Sequence, residues 1–350
     1  MPEHVTHDFD GASATGQPGS WMLYGAPGYT ATLIAEHARQ RGHQPLLAGR
    51  SAPAVTALAE RLGLPCRELS LDDPAALTAA LAGVDLVLNA AGPFLHTAAP
   101  LAEACLRAGV HYLDIGNELQ VFRALYGLDE RARQAGITIM PGAGFGVIAT
   151  NCLARYVSDA VGGAAILEVA TRAAVARQGP GVAATREQNM PYGGWIRQAG
   201  HLRPLALGSG TTTITLPDGP CRIMPLPTGD LEAAFQATGA PDITAYGAVP
   251  ADPAPGSASD PPADERRAYT SFGWARAIGP NGATAQAWLQ TGESYAFTAA
   301  ASIRAIEEAL ARSLSGALSP TAFGADFILT IPGTSRIDTI PTEASLASRP

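Results

Sequence analysis

Over residues 21–140, short apolar runs alternate with stretches in which apolar residues recur every three or four positions. The runs at 21–24, 44–48, 66–69, 85–88, 111–113 and 137–140 read as strands. The stretches at 29–41, 53–62, 74–81, 98–108 and 119–134 read as helices between them. Strands that are apolar at nearly every position are buried on both faces, and a helix after each supplies the crossover. The pattern predicts an α/β fold with a doubly wound parallel sheet of six strands.

The period changes after Gly146. A helix is expected over 147–160, followed by strand-like runs at 166–175, 211–216, 243–249, 269–278 and 284–290. Asn281-Gly282 between the last two is a hairpin signal, because both residues tolerate positive φ. A second α+β domain on a mostly antiparallel sheet follows, with a helix over 294–314 packing back on the first domain. The expected divisions are a tail at 1–20, a first domain at 21–146 and a second at 147–293. A C-terminal helix and segment at 294–335 and a tail at 336–350 complete the chain. Residues 250–267, rich in Pro, Ala, Ser and Asp, read as an excursion. The outer sheet offers a surface on which two copies would pair as a homodimer.

Composition narrows the class. With 47% hydrophobic and 15% charged residues over 350 positions, the chain can bury a sizeable core. No apolar run reaches the ~20 residues of a membrane helix, and residues 1–20 carry no apolar signal segment. Four scattered cysteines without metal spacing suit a reduced, cytoplasmic protein with no metal. The net charge of −8 argues against a nucleic-acid surface. All 23 basic residues are arginine; lysine is absent. Arginine stays protonated, so Schiff-base lysines, P-loop lysines and Tyr-x-x-x-Lys reductase sites are excluded.

The first strand runs into Gly25-Ala26-Pro27-Gly28-Tyr29-Thr30-Ala31, a G-x-x-G-x-x-A turn ahead of a helix. Glycines let the backbone approach a pyrophosphate, and the helix N-terminus attracts it. This is the fingerprint of a Rossmann dinucleotide site, although a plain tight turn shares it. After the second strand no acidic residue occurs between His43 and Ala59; Arg50 and Ser51 stand where an NAD site would place its carboxylate. A guanidinium there suits the 2′-phosphate of NADP. The fourth strand ends Asn89-Ala90-Ala91-Gly92-Pro93-Phe94, small residues expected to flank the nicotinamide. The fifth ends at Asp114 and Glu118, which either border the crevice or cap a helix.

Together these segments resemble the saccharopine dehydrogenase-like NADP-binding family. That family shows G-A-x-G-Y-T-G, A-G-R, N-x-x-G-P-F/Y and Y-x-D-x-x-G-E at the corresponding places. The chain departs at Ala31 and Asn117. Residues 179–207, 229–250 and 322–327 look like the trans-acting enoyl reductase subgroup. The resemblance implies an NADP-dependent oxidoreductase that moves a hydride to a polarised C=N or C=C bond of a small biosynthetic intermediate. It leaves open a carrier-bound acyl substrate, hence a carrier protein as partner, or a non-catalytic NADP sensor. With no lysine, the proton comes from another group; Tyr192, His201 and Asp114 are the candidates, Tyr192 being equally a packing residue. Arg172, Arg177, Arg197 and Arg203 either bind a substrate anion or are surface charges. Residues 191–203 are expected to form the substrate wall facing the cofactor.

Overall fold

The computed structural model describes residues 19–175, 193–249 and 269–340. The first unit alternates as its hydrophobic pattern requires: β1 (Trp21–Tyr24), α1 (Tyr29–Gln40), β2 (Leu46–Gly49), α2 (Ala52–Leu62), β3 (Cys66–Glu68), α3 (Pro74–Ala79) and β4 (Leu86–Asn89). It continues with α4 (Phe94–Ala108), β5 (His111–Asp114), α5 (Leu119–Tyr126), α6 (Asp129–Ala135), β6 (Thr138–Met140) and α7 (Phe145–Ala160). β1 and β4 are buried at every position, as strands covered on both faces must be.

The second unit contains β7 (Ile166–Arg172), β8 (Gly194–Gln198), β9 (His201–Leu205), β10 (Thr212–Leu216) and β11 (Gly219–Pro225). α8 (Asp230–Thr238), β12 (Asp242–Ala248), β13 (Ser271–Ile278), β14 (Thr284–Thr291), α9 (Ser294–Ala311), β15 (Gly316–Ala317) and β16 (Ser335–Ile337) follow. β12 alternates buried and half-buried positions, the mark of a sheet with one covered face.

The first sheet has seven strands in the order β15-β6-β5-β4-β1-β2-β3, all paired in parallel. Its seventh strand is β15, which is only two residues long and comes after the second unit in the chain, too short for any periodicity to reveal. The order reverses between β4 and β1, which places the ligand crevice outside their carboxyl ends. The second sheet, with nine strands among the described residues, runs β10-β11-β12-β7-β13-β14-β16, with β8 on β12 and β9 on β8. It is mixed rather than purely antiparallel, since β12 and β7 are parallel. The β13–β14 hairpin is interior to this sheet, between β7 and β16.

Three further differences have local causes. The helix expected over 119–134 breaks at Gly127 into α5 and α6. α4 starts at Phe94, four residues early, because a side chain from another loop caps it. Arg336 and Ile337, expected in a tail, belong to β16 and pair with β14.

One hydrophobic cluster joins the units, from Leu23, Leu88 and Leu113 through Ile148 and Leu153 of α7 to Leu167 and Ala275. α9 returns along α1, where the Glu307 carboxylate accepts from Arg41 at 2.8 Å and lies 3.1 Å from His43 Nε2. Burial opposes ionisation of Glu307, but bonds from His43, Arg41 and Arg304 prevail and hold its carboxyl down at about 2.

Candidate dinucleotide site and crevice

The turn after β1 is shaped by close approach. Gly25 has φ of +107°, and a Cβ there would stand 2.7 Å from Ala91 N and 2.8 Å from the Ala90 carbonyl carbon. Only glycine lets this turn touch the loop after β4. The Gly25 and Ala26 N–H groups both donate to the Ala48 carbonyl, at 2.9 and 3.1 Å, which pins the turn to β2. Gly28 is the N-cap of α1, and the helix begins with no side-chain cap and no acidic residue. Its positive end is therefore left for an anion. Pro27 and Gly28 are exposed, Tyr29 and Thr30 half-buried, and Ala31 fully buried, so the third fingerprint position packs against the sheet.

The end of β2 passes under the same turn: a Cβ on Gly49 would collide with the Ala26 carbonyl oxygen. Beyond it Arg50 and Ser51 are exposed. Arg50 makes no ion pair with a described residue. Burial pushes the Tyr24 phenol up, Arg50 opposing and Asp72 adding to it, so Arg50 lies close to the carboxyl end of β1. Ser51 starts α2 without a side-chain cap, and that helix too has no acid in its first turn.

On the other side of the crevice Asn89 is fully buried. Its Oδ1 accepts from Ala91 N–H at 3.0 Å, and its Nδ2 donates to Thr97 Oγ1 at 3.1 Å and to the Tyr112 hydroxyl at 3.2 Å. Tyr112 passes the chain to Asp114 Oδ2 at 2.9 Å. Asp114 Oδ1 accepts from Gly116 and Gly142 N–H at 2.8 and 3.1 Å. Burial pushes the Asp114 carboxyl up to about 6, against those hydrogen bonds. Glu118 caps α4, accepting from the N–H groups of Phe94 and Leu95. Ala90 and Ala91 are half-buried, Gly92 is exposed and Pro93 half-buried at the crevice rim.

The expected catalytic group is not brought together. Asp114 is 0% exposed with both oxygens engaged, so it organises loops rather than facing a substrate. His201 is exposed at the start of β9, one turn from Ala199, which bonds Asp242. Asp242 pairs with Ile166 at the amino end of β7, whereas Ala174 past the carboxyl end bonds Ser294, next to the Tyr295 ring that meets Tyr29. His201 is thus about 20 Å of strand from the crevice side. Tyr192 and Arg177 lie outside the described residues. Of the described residues in the expected wall at 191–203, β8 begins at the crevice end at Gly194 and runs away from it, and β9 turns back from His201 at the far end.

Arg197 is 6% exposed and occupied. It pairs with Glu232 at 2.9 Å, donates to the Gly200 carbonyl at 2.7 Å and lies 3.9 Å over the Phe235 ring. Arg172 pairs with Asp218 over Phe272, while Arg203 is exposed. Sequence reasoning missed Thr97, Tyr112 and the Asn117–Asp230 bond of 3.2 Å across the two units. Only Y-x-D spacing hinted at the first network; nothing local signals the second.

The site is that of a dinucleotide-binding domain. Residues 21–140 match the family model of the saccharopine dehydrogenase NADP-binding domain, and they form a domain of that type. A trans-acting enoyl reductase of Mycobacterium ulcerans is 30% identical over 138 residues, 37% of this chain and 33% of that protein. A Mycobacterium bovis protein of the same name is 32% identical over 138 residues. The chain thus matches about a third of the length of these curated relatives. Among solved structures, saccharopine dehydrogenase (L-Glu forming) of Saccharomyces cerevisiae superposes with TM-score 0.62 at 12% identity, covering 91% of this chain and 100% of that one. Homospermidine synthase of Legionella pneumophila, solved with NAD, gives 0.64 at 10% identity, covering 93% and 92%. These likenesses show a shared fold that includes both sheets. No described helix is long and apolar enough to cross a membrane.

Proposed function

We propose that this chain is an NADPH-dependent reductase that transfers a hydride to a polarised C=N or C=C bond of a small biosynthetic intermediate. The observation that carries the reading is the pairing of an α1 N-terminus without a side-chain cap with an exposed Arg50, across the turn, that makes no ion pair with a described residue. The first suits a pyrophosphate and the second a 2′-phosphate. Gly25, Ala26, Pro27, Gly28, Tyr29 and Thr30 would cradle the pyrophosphate, Arg50 and Ser51 the 2′-phosphate, and Asn89 to Pro93 the nicotinamide side. When bound, the cofactor supplies the hydride; the chain binds, orients and excludes water.

The second sheet supplies the opposite wall. Arg172–Ala174 at its carboxyl-end strands and Thr228, bridged to Glu118, face the crevice end. β8 begins at that end at Gly194; Tyr192 is kept as the proposed proton donor on its residue type alone. The names of the curated relatives favour a C=C bond on a carrier-bound acyl group as the second reading. Four free thiols suit a reducing, cytoplasmic setting, and a homodimer remains part of the proposal.

The test is NADPH binding by fluorescence, followed by NADPH oxidation against a panel of enoyl thioesters and cyclic imines. Oxidation with one class selects that bond. Tight binding with no oxidation across the panel would favour a sensor, and binding of neither dinucleotide would refute the proposal.

A further inference from the structure

Two helix N-termini, those of α1 and α4, open onto the same crevice. Each carries N–H groups that have no carbonyl partner within the helix, and a positive dipole end. α1 is left without a side-chain cap. At α4 the chain seats its own anion: Glu118 Oε1 accepts from Phe94 N–H at 3.0 Å and Oε2 from Leu95 N–H at 2.8 Å. Glu118 is 4% exposed, so this carboxylate is held inside the protein by charge-assisted bonds.

The same segment is held from its other side. Asn89 fixes Ala91 N–H, and Thr97, which Asn89 also contacts, donates to the Ala91 carbonyl at 2.7 Å. Tyr112 joins Asn89 to Asp114, and Asp114 ties down the loops after β5 and β6. Residues 90–95 are therefore clamped between two buried networks while resting against Gly25 of the pyrophosphate turn. The backbone of Glu118 bridges Thr228 of the second unit, so one residue links the substrate wall to this segment.

We propose that Glu118 and the Asn89–Tyr112–Asp114 chain are positioning residues for the nicotinamide half of the dinucleotide. Glu118 fills the α4 N-terminus, so the pyrophosphate is directed to α1. Together the two networks fix the segment on which the nicotinamide ribose and ring rest. The inference depends on the NADP reading given above.

The test compares full-length wild type, Glu118→Gln and Tyr112→Phe. Gln keeps one acceptor and loses the charge; Phe keeps the buried shape and removes the hydroxyl between Asn89 and Asp114. Two probes are titrated: NADPH, and 2′,5′-ADP, which has the adenine half and the 2′-phosphate but no nicotinamide. Glu118→Gln is expected to weaken NADPH binding about tenfold, the scale of one charge-assisted bond, and to leave 2′,5′-ADP within about twofold. In both variants the emission of bound NADPH should move toward that of the free cofactor. If Glu118→Gln does not fold, Tyr112→Phe decides alone. Equal losses for NADPH and 2′,5′-ADP would show general loosening and overturn the proposal, as would wild-type NADPH affinity and emission in the variants. A wild type that binds 2′,5′-ADP and NADPH keeps the NADP reading in either case; a wild type that binds neither ends that reading itself.

Discussion

Replacing Arg50 by alanine separates cofactor choice from folding. The guanidinium is exposed and pairs with no described residue, so its removal leaves no buried charge and breaks no hydrogen bond among the described residues. The stability cost should fall within the ~0.5 kcal/mol usual for surface positions. The binding cost is different in kind. A charge-assisted pair with a phosphate contributes roughly 1.5–3 kcal/mol, which is about ten- to a hundredfold in affinity. Arg50→Ala should therefore weaken NADPH by that factor and leave NADH, which has no 2′-phosphate, nearly unchanged. Fluorescence titration of both dinucleotides, with thermal unfolding as control, reads all three quantities. An equal loss for NADPH and NADH, or a large drop in Tm, would show that Arg50 supports the fold and would refute the assignment. The effect should shrink with added salt, because the site is open to solvent.

Three further outcomes follow from the same geometry. Gly25→Ala places a Cβ 2.7 Å from Ala91 N at a φ of +107°, so the turn and the β4 loop must part; both dinucleotides should lose binding in titration, and retained affinity would place the pyrophosphate elsewhere. Asp114, raised from 3.8 to about 6 by burial, binds its proton more tightly folded than unfolded. Its contribution is therefore present at low pH and lost as pH rises through about 6, so denaturant unfolding should show wild type falling by roughly 3 kcal/mol against Asp114→Asn between about pH 4 and 7. A pH-independent difference would contradict this. Arg197→Ala leaves Glu232 without its partner and uncovers the Phe235 ring, so the unfolding free energy should fall by about 3 kcal/mol while NADPH affinity stays unchanged. A selective loss of substrate turnover at normal stability would instead restore Arg197 to the substrate site.

How far the sequence reached depended on the range of the forces involved. Most of the first six strands were legible because burial on both faces writes apolar runs directly into the chain, as in β1 and β4, whereas the exposed edge strand β3 was legible from its place between two helices. The Gly25–Gly28 turn and Arg50 were legible because a tight turn and a charge at a strand end are set by neighbours in sequence. β9, β15 and β16 were not, since these short strands acquire their state only by pairing with distant partners. The same holds for the candidate chemistry. His201 and Asp114 carry suitable groups, yet strand direction places one at the far end of its sheet and burial engages both oxygens of the other. Arg197 and Glu118 looked equally available as charges; Glu232 claims the first and the α4 N-terminus the second. By itself the sequence determined the alternation of strands and helices over residues 21–140 and the glycine turn ahead of α1, because each is written by neighbours in the chain, and it supplied the expectation of a 2′-phosphate at Arg50. Only the tertiary structure decided which charges remain free for a ligand, because that depends on contacts between residues far apart in the chain, such as the Asn117–Asp230 bond.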